Sequence, residues 1–153
     1  MLKQGYFSAC RSAFVVLLLV LLVSCNKSIP VYLIANKNLN PNENLAALPV
    51  EVKLFVLKND KPFLRSSFYN LWHNNLNSLG DSVITRKTMI IPPKSKQLVH
   101  LNHDENAKYI GVVAIFRNIN HARWRVIKAI NQAEKMGLKN ITIELIKNKL
   151  IIR

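Results

Sequence analysis

Between Val50 and Val56 the chain alternates strictly: Val50, Val52, Leu54 and Val56 fall on one face, and Glu51, Lys53 and Phe55 on the other. A period of two predicts a strand with one buried face. Tyr109 to Phe116 is apolar on both faces and predicts a central strand. Shorter strands are expected over Val31–Asn36, over Val83–Ile91 before Pro92-Pro93, and over Lys96–Leu101 before the polar stretch Asn102–Asn106. After a turn at Asn118–His121, Trp124 and Val126 alternate with Arg123, Arg125 and Ile127. Ile141–Lys147 and Lys149–Arg153 then flank Asn148 as a terminal hairpin. Helical spacing appears at Leu64, Phe68 and Leu71, which predicts one short amphipathic helix over Pro62–Trp72. A further helical turn is expected at Asn131–Met136, stopped by Gly137. Many short strands separated by turn signals give an all-β fold, a two-sheet β-sandwich with a short helical insertion.

The N-terminus is of another kind. Lys3 and Arg11 precede an unbroken apolar run of eleven residues, Ala13 to Val23, and then Ser24 and Cys25. A membrane-spanning helix needs about 20 apolar residues, so the run has the length of a secretory leader rather than an anchor. Leu22-Val23-Ser24-Cys25 reads as a lipobox, in which Cys25 receives a lipid and becomes the new N-terminus. The expected organisation is a signal peptide over 1–24, a lipidated tether over 25–30 and the sandwich over 31–153. Asn26, rather than aspartate, follows the cysteine, which favours an outer-membrane address facing the periplasm. Cys10 lies in the leader, leaving Cys25 alone in the mature chain, so no internal disulfide is expected.

The charge balance bounds the partners. With 22 Lys and Arg against 8 Asp and Glu the net charge is +14, and loss of Lys3 and Arg11 with the leader leaves +12. Such a surface favours anionic headgroups, cell-wall polymers or an acidic protein face. An exported, lipid-anchored protein has little access to nucleic acid, and none is expected as a partner. Neither catalysis nor a cofactor is indicated: GxSxG, Walker and GxGxxG motifs are missing, and the carboxylates are scattered in turns. His73, His100, His103 and His121 lack the spacing of a metal site. Arg117, Arg123, Trp124, Arg125 and Lys128 could form an arginine-aromatic patch, but strand alternation accounts for them with Trp124 inward and the arginines solvated. Lys37 to Pro49, thirteen residues rich in asparagine, is long for a connection in a compact domain, and such loops tend to be functional.

Taken in order, Leu39-Asn40-Pro41, the Pro49–Leu57 strand, Phe63-Leu64, Phe68-Tyr69-Asn70-Leu71, Leu79-Gly80-Asp81, Tyr109–Arg117 and Ala122-Arg123-Trp124-Arg125 resemble the TssJ family, the outer-membrane lipoprotein of the type VI secretion membrane complex. The resemblance implies a transthyretin-like sandwich that binds the periplasmic domain of the inner-membrane TssM subunit. It also implies that the contact lies in the loop between the first two strands. That loop offers Asn38, Leu39, Asn40, Pro41, Asn42, Glu43, Asn44 and Leu45 as partner-binding residues, with the leucines, Leu48 among them, supplying apolar contacts and the asparagines hydrogen bonds. The asparagine content departs from the family pattern, and Ile130 to Arg153 matches only in strand-like character. A different reading of the same chain is a basic periplasmic lipoprotein module that binds an anionic cell-wall polymer or ligand. A third is a hydrolase, which needs a pocket of convergent polar groups.

Overall fold

A computed structural model describes residues 27–73 and 75–153; the leader and Cys25, on which the lipidation expectation rests, lie outside the described residues. Eight strands form two four-stranded sheets. The strands are β1 Ser28–Ala35, β2 Val50–Leu57, β3 Val83–Ile91, β4 Lys96–Asn102, β5 Tyr109–Ile115, β6 Arg125–Ala129, β7 Ile141–Ile146 and β8 Lys149–Ile152. One sheet has the order β4-β1-β7-β8 and the other β3-β2-β5-β6. All pairings are antiparallel except β1 with β7. The main core lies between the sheets and takes every second residue: Val31, Leu33, Ile143 and Leu145 from one side, Val52, Leu54, Val56, Ile110 and Val112 from the other.

β1 starts three residues before the expected strand, inside the segment assigned to the tether. Ile29 is fully buried, and Ser28 and Ile29 pair with Asn102 and Leu101 of β4. Pro30 is tolerated there because β7 joins β1 only from Val31, so proline's missing donor falls where the strand has a neighbour on one side alone.

The expected single helix over Pro62–Trp72 is two: α1 Lys61–Arg65 and α2 Phe68–His73, followed by α3 Asn75–Leu79, which sequence periodicity did not indicate. The break falls at Ser66, whose hydroxyl donates to the Pro62 carbonyl at 2.8 Å while its backbone turns extended. A serine side chain that competes for a helix carbonyl in this way favours termination.

These helices cover the outer face of β2 and β5. Phe55, expected on the solvated face, is fully buried in a second cluster with Leu57, Phe63, Leu71, Trp72, Leu79 and Val113. Phe63 meets Phe55 edge-on at 5.9 Å, and its ring lies on the backbone of Gly111, where an added Cβ would sit 2.8 Å from ring carbons. Burying a phenylalanine this fully contributes about 1.5–3 kcal/mol, which fixes the insertion to the sheet.

β6 begins at Arg125, one residue beyond Trp124, which stays half-buried and packs edge-on against Phe68 at 5.2 Å. Arg125 was expected in solvent. Instead its Nη1 donates to the carbonyls of Phe63 and Ser66 at 3.0 and 2.9 Å, joining β6 to α1. Desolvation lowers the guanidinium pKa from its ordinary value. Lys53 likewise donates to the Trp72 carbonyl at 2.5 Å and lies 4.3 Å from the Trp72 ring centroid, with its pKa lowered chiefly by burial. The final helix, α4 Gln132–Lys135, has the expected helical turn, capped reciprocally by Asn131 and Glu134 and followed by Gly137 at φ +71°.

The registers sort the connections into two poles. The Lys37–Pro49 loop, the β3–β4 turn, the β5–β6 connection and the β7–β8 turn lie at one pole. The start of β1, the 103–108 turn, and α4 with its connector to β7 lie at the other.

Candidate partner-binding surface

The loop between β1 and β2 is built on its own hydrogen bonds. Asn36 N–H donates to Leu145 O, Leu39 N–H to Asn36 O, Asn40 N–H to Lys147 O, and Leu48 N–H to Leu39 O, so both arms are tied to each other and to the β7–β8 turn. Its tip is closed by Asn42, whose Oδ1 accepts from the backbones of Asn44 and Ala46 at 3.0 and 2.9 Å. Asparagine suits this turn because its short side chain reaches backbone donors two to four residues on.

Two of the expected contact residues face inward. Leu39 is 0% exposed and belongs to the main core; Asn40 is 6% exposed, in the left-handed region at φ +46°. The Asn40 side chain accepts from Arg117 N–H at 2.8 Å and donates to Pro49 O at 3.3 Å. In the free chain these two residues hold the loop, since an apolar residue and a hydrogen-bonded amide next to the strand end gain more by joining the core than by facing water.

Leu45 is the reverse case. It is 82% exposed at the tip, with φ +60°. A leucine held in the left-handed region, which non-glycine residues seldom occupy, costs the isolated domain backbone strain that its exposed side chain does not offset by burial. Glu43 beside it pairs with Arg117 at 2.5 Å, both side chains largely exposed, an ion pair worth about 0–1 kcal/mol.

A groove of about 450 Å³ runs between this tip and the neighbouring turns, lined by Pro41, Asn42, Arg117, Asn118, Asn120 and Asn148. The Oδ1 atoms of Asn148 and of Asn38 are buried without a hydrogen-bond partner. Below the tip, on the outer face of the sheet, Ile90 and Ile115 flank Glu51 as its cross-strand neighbours; Ile90 is 67% exposed and Ile115 is also exposed. Asn118 to Asn120, Asn148 and the two isoleucines were not among the sequence candidates, and Arg117 was one only as a member of the arginine-aromatic cluster. Ile115 belonged to a strand expected to be apolar on both faces, and nothing local tied either isoleucine to the loop.

The arginine-aromatic cluster comes together only in part, with the Arg125 guanidinium 4.8 Å from the Trp124 ring centroid. Arg117 is with Glu43, Arg125 is under α1, and Lys128 donates to the buried carboxylate of Glu134 at 2.6 Å. His100 lies near Ser28, and His103 contacts the carbonyls of Asp104 and Lys135; both line one cleft beside the start of β1. Among the described residues no group of three His, Cys, Asp or Glu side chains comes together as a metal site. No described helix is long and apolar enough to cross a membrane.

A rigid two-sheet sandwich that presents a hydrogen-bonded, apolar-tipped loop at one pole defines a class of binding scaffold. Residues 27–148 match the family model of the type VI secretion lipoproteins (VasD, EvfM, TssJ), and the chain belongs to that family. The lipoprotein TssJ1 of Pseudomonas aeruginosa superposes with a TM-score of 0.74 at 25% identity, over 84% of this chain and 95% of that one. Lip of Serratia marcescens, a membrane-bound component of the same system, gives 0.72 at 17% identity, over 85% and 99%. A chain in a structure described as the TssM C-terminal domain from EAEC gives 0.68 at 22% identity, over 83% and 98%, a likeness of fold. Comparison with curated protein sequences gives no match.

Proposed function

We propose that this chain is a non-enzymatic structural lipoprotein that anchors the type VI secretion membrane complex to the outer membrane, through lipid on Cys25, and binds the periplasmic domain of the TssM subunit. Family membership supports the role, and a membrane complex of this secretion system contains a chain of the same fold, with a TM-score of 0.73. The observation that carries the binding site is Leu45: an exposed leucine at positive φ, on a tip fixed by Asn42, is a preformed apolar contact. Pro41, Asn42, Glu43 and Asn44 surround it, and fixing them in the free protein lowers the ordering cost of association. Asn38, Leu39 and Asn40 act beneath the surface as its support.

The test is binding of the chain from Asn26 onward to the periplasmic C-terminal domain of the cognate TssM subunit, measured by calorimetry. Replacing Asn42 to Leu45 by Gly and Ser should abolish binding while Tm stays within a few degrees. Undiminished binding by that variant would move the site elsewhere on the sandwich, and no binding by the intact chain would refute the partner.

A further inference from the structure

The pole opposite the loop carries its own exposed apolar pair. Gly137, at φ +71°, turns the chain so close to β1 that an added Cβ would lie 3.7 Å from Ser28 O. On either side of it Met136 and Leu138 are 68% and 75% exposed. The segments around them are held together: His103 N–H donates to Lys27 O at 3.1 Å, His103 Nε2 lies 3.1 Å from Lys135 O, and Lys135 Nζ donates to Glu105 O at 3.3 Å. They enclose a cleft of about 550 Å³. Lys27, Lys108, Lys135 and Lys139 stand at this pole against the acidic Asp104 and Glu105.

Two observations say what covers it. Cys25 is three residues from Ser28, and three residues span at most about 10 Å, so lipid on Cys25 brings the start of β1 against the bilayer. The neighbours of that strand end go with it. Large apolar side chains bordered by lysines are also the pattern that seats at a headgroup boundary, the carbon chains below and the ammonium groups on phosphates.

We propose that this pole is a membrane-contact surface, with Met136 and Leu138 at the boundary between headgroups and acyl chains and Lys27, Lys135 and Lys139 against headgroup phosphates. The proposal rests on lipid attachment at Cys25. It gives the anchored domain a fixed orientation, with the Leu45 tip pointing away from the bilayer.

The experiment uses the acylated protein in vesicles of phosphatidylethanolamine and phosphatidylglycerol with brominated acyl chains. An environment-sensitive fluorophore is placed on Leu138→Cys or, as the opposite-pole control, on Leu45→Cys; the acylated Cys25 does not compete for the label. Quenching of several-fold at position 138 and none at 45 is expected. In parallel, the chain from Asn26 onward, which holds every strand of the sandwich, should sediment with the same vesicles, at least tenfold less after Met136→Ser with Leu138→Ser. Equal fluorescence at 138 and 45 in protein that floats with the vesicles would overturn this proposal and leave the anchor standing. Mature protein whose Cys25 carries no acyl mass by mass spectrometry would instead refute the anchor. Self-association abolished by the Met136 and Leu138 replacements, with position 138 unquenched, would assign the pole to a second copy and overturn the proposal.

Discussion

The Oδ1 of Asn40 accepts the backbone N–H of Arg117 at 2.8 Å, joining residues 77 positions apart. The bond fastens the β1–β2 loop to the end of β5, and its partner bond to Pro49 O closes the loop base.

Asn40→Ala leaves that backbone donor without its acceptor and places a non-glycine residue at φ +46° without the local bonding that lets asparagine adopt it. A loss of about 2–3 kcal/mol is expected by urea denaturation. Asn40→Gly, which removes the backbone strain, should cost about 1–2 kcal/mol. Both should weaken TssM binding, because the tip loses its support.

Leu45 separates stability from binding. Leu45→Gly relieves the positive φ, so urea denaturation should show a gain of up to about 1 kcal/mol. The same variant should bind the TssM periplasmic domain at least tenfold more weakly in calorimetry. Unchanged affinity would remove Leu45 from the contact.

Gly111→Ala sets a methyl group 2.8 Å from carbons of the Phe63 ring. The ring is fully buried between β5 and Phe55, so the insertion must shift, at about 1–3 kcal/mol. Thermal unfolding should register the loss, and Trp fluorescence should change with it, since Trp72 and Trp124 pack around Phe68 on the same insertion.

Glu134 is fully buried, receives Lys128 Nζ at 2.6 Å and accepts the Asn131 N–H at 2.9 Å. Glu134→Ala strands the lysine and opens the cap of α4, with an expected cost of about 3 kcal/mol. Glu134→Gln keeps the shape and the capping acceptor and should lose about half of that. Denaturant midpoints of the two variants check the ordering.

The strands were legible from side-chain pattern, alternation in β2 and a run apolar on both faces in β5. Val52, Leu54 and Val56 declare the inner face of β2 by alternation, and Gly137 declares the end of α4. Phe55 and Arg125 misled because their faces are covered by helices that fold back onto the sheet, a tertiary fact with no local period. Length and asparagine content singled out the Lys37–Pro49 loop, yet could not separate Leu39 from Leu45. One enters the core and the other meets solvent because of hydrogen bonds to Lys147 and Arg117, which lie more than seventy residues away.

β1 begins three residues after Cys25, the proposed lipid attachment point, and ends at the loop. Between them it crosses about 26 Å as an inner strand, with seven register positions against β4 and five against β7. A pull from the TssM side against the anchor therefore runs along this strand and loads both rows of backbone hydrogen bonds in shear. Bonds that lie across the line of force share it and fail together, whereas an edge strand peeled from one end gives way bond by bond. The route from loop to lipid is thus the mechanically stiff axis of the domain, suited to a subunit that holds an envelope-spanning machine in place while it fires.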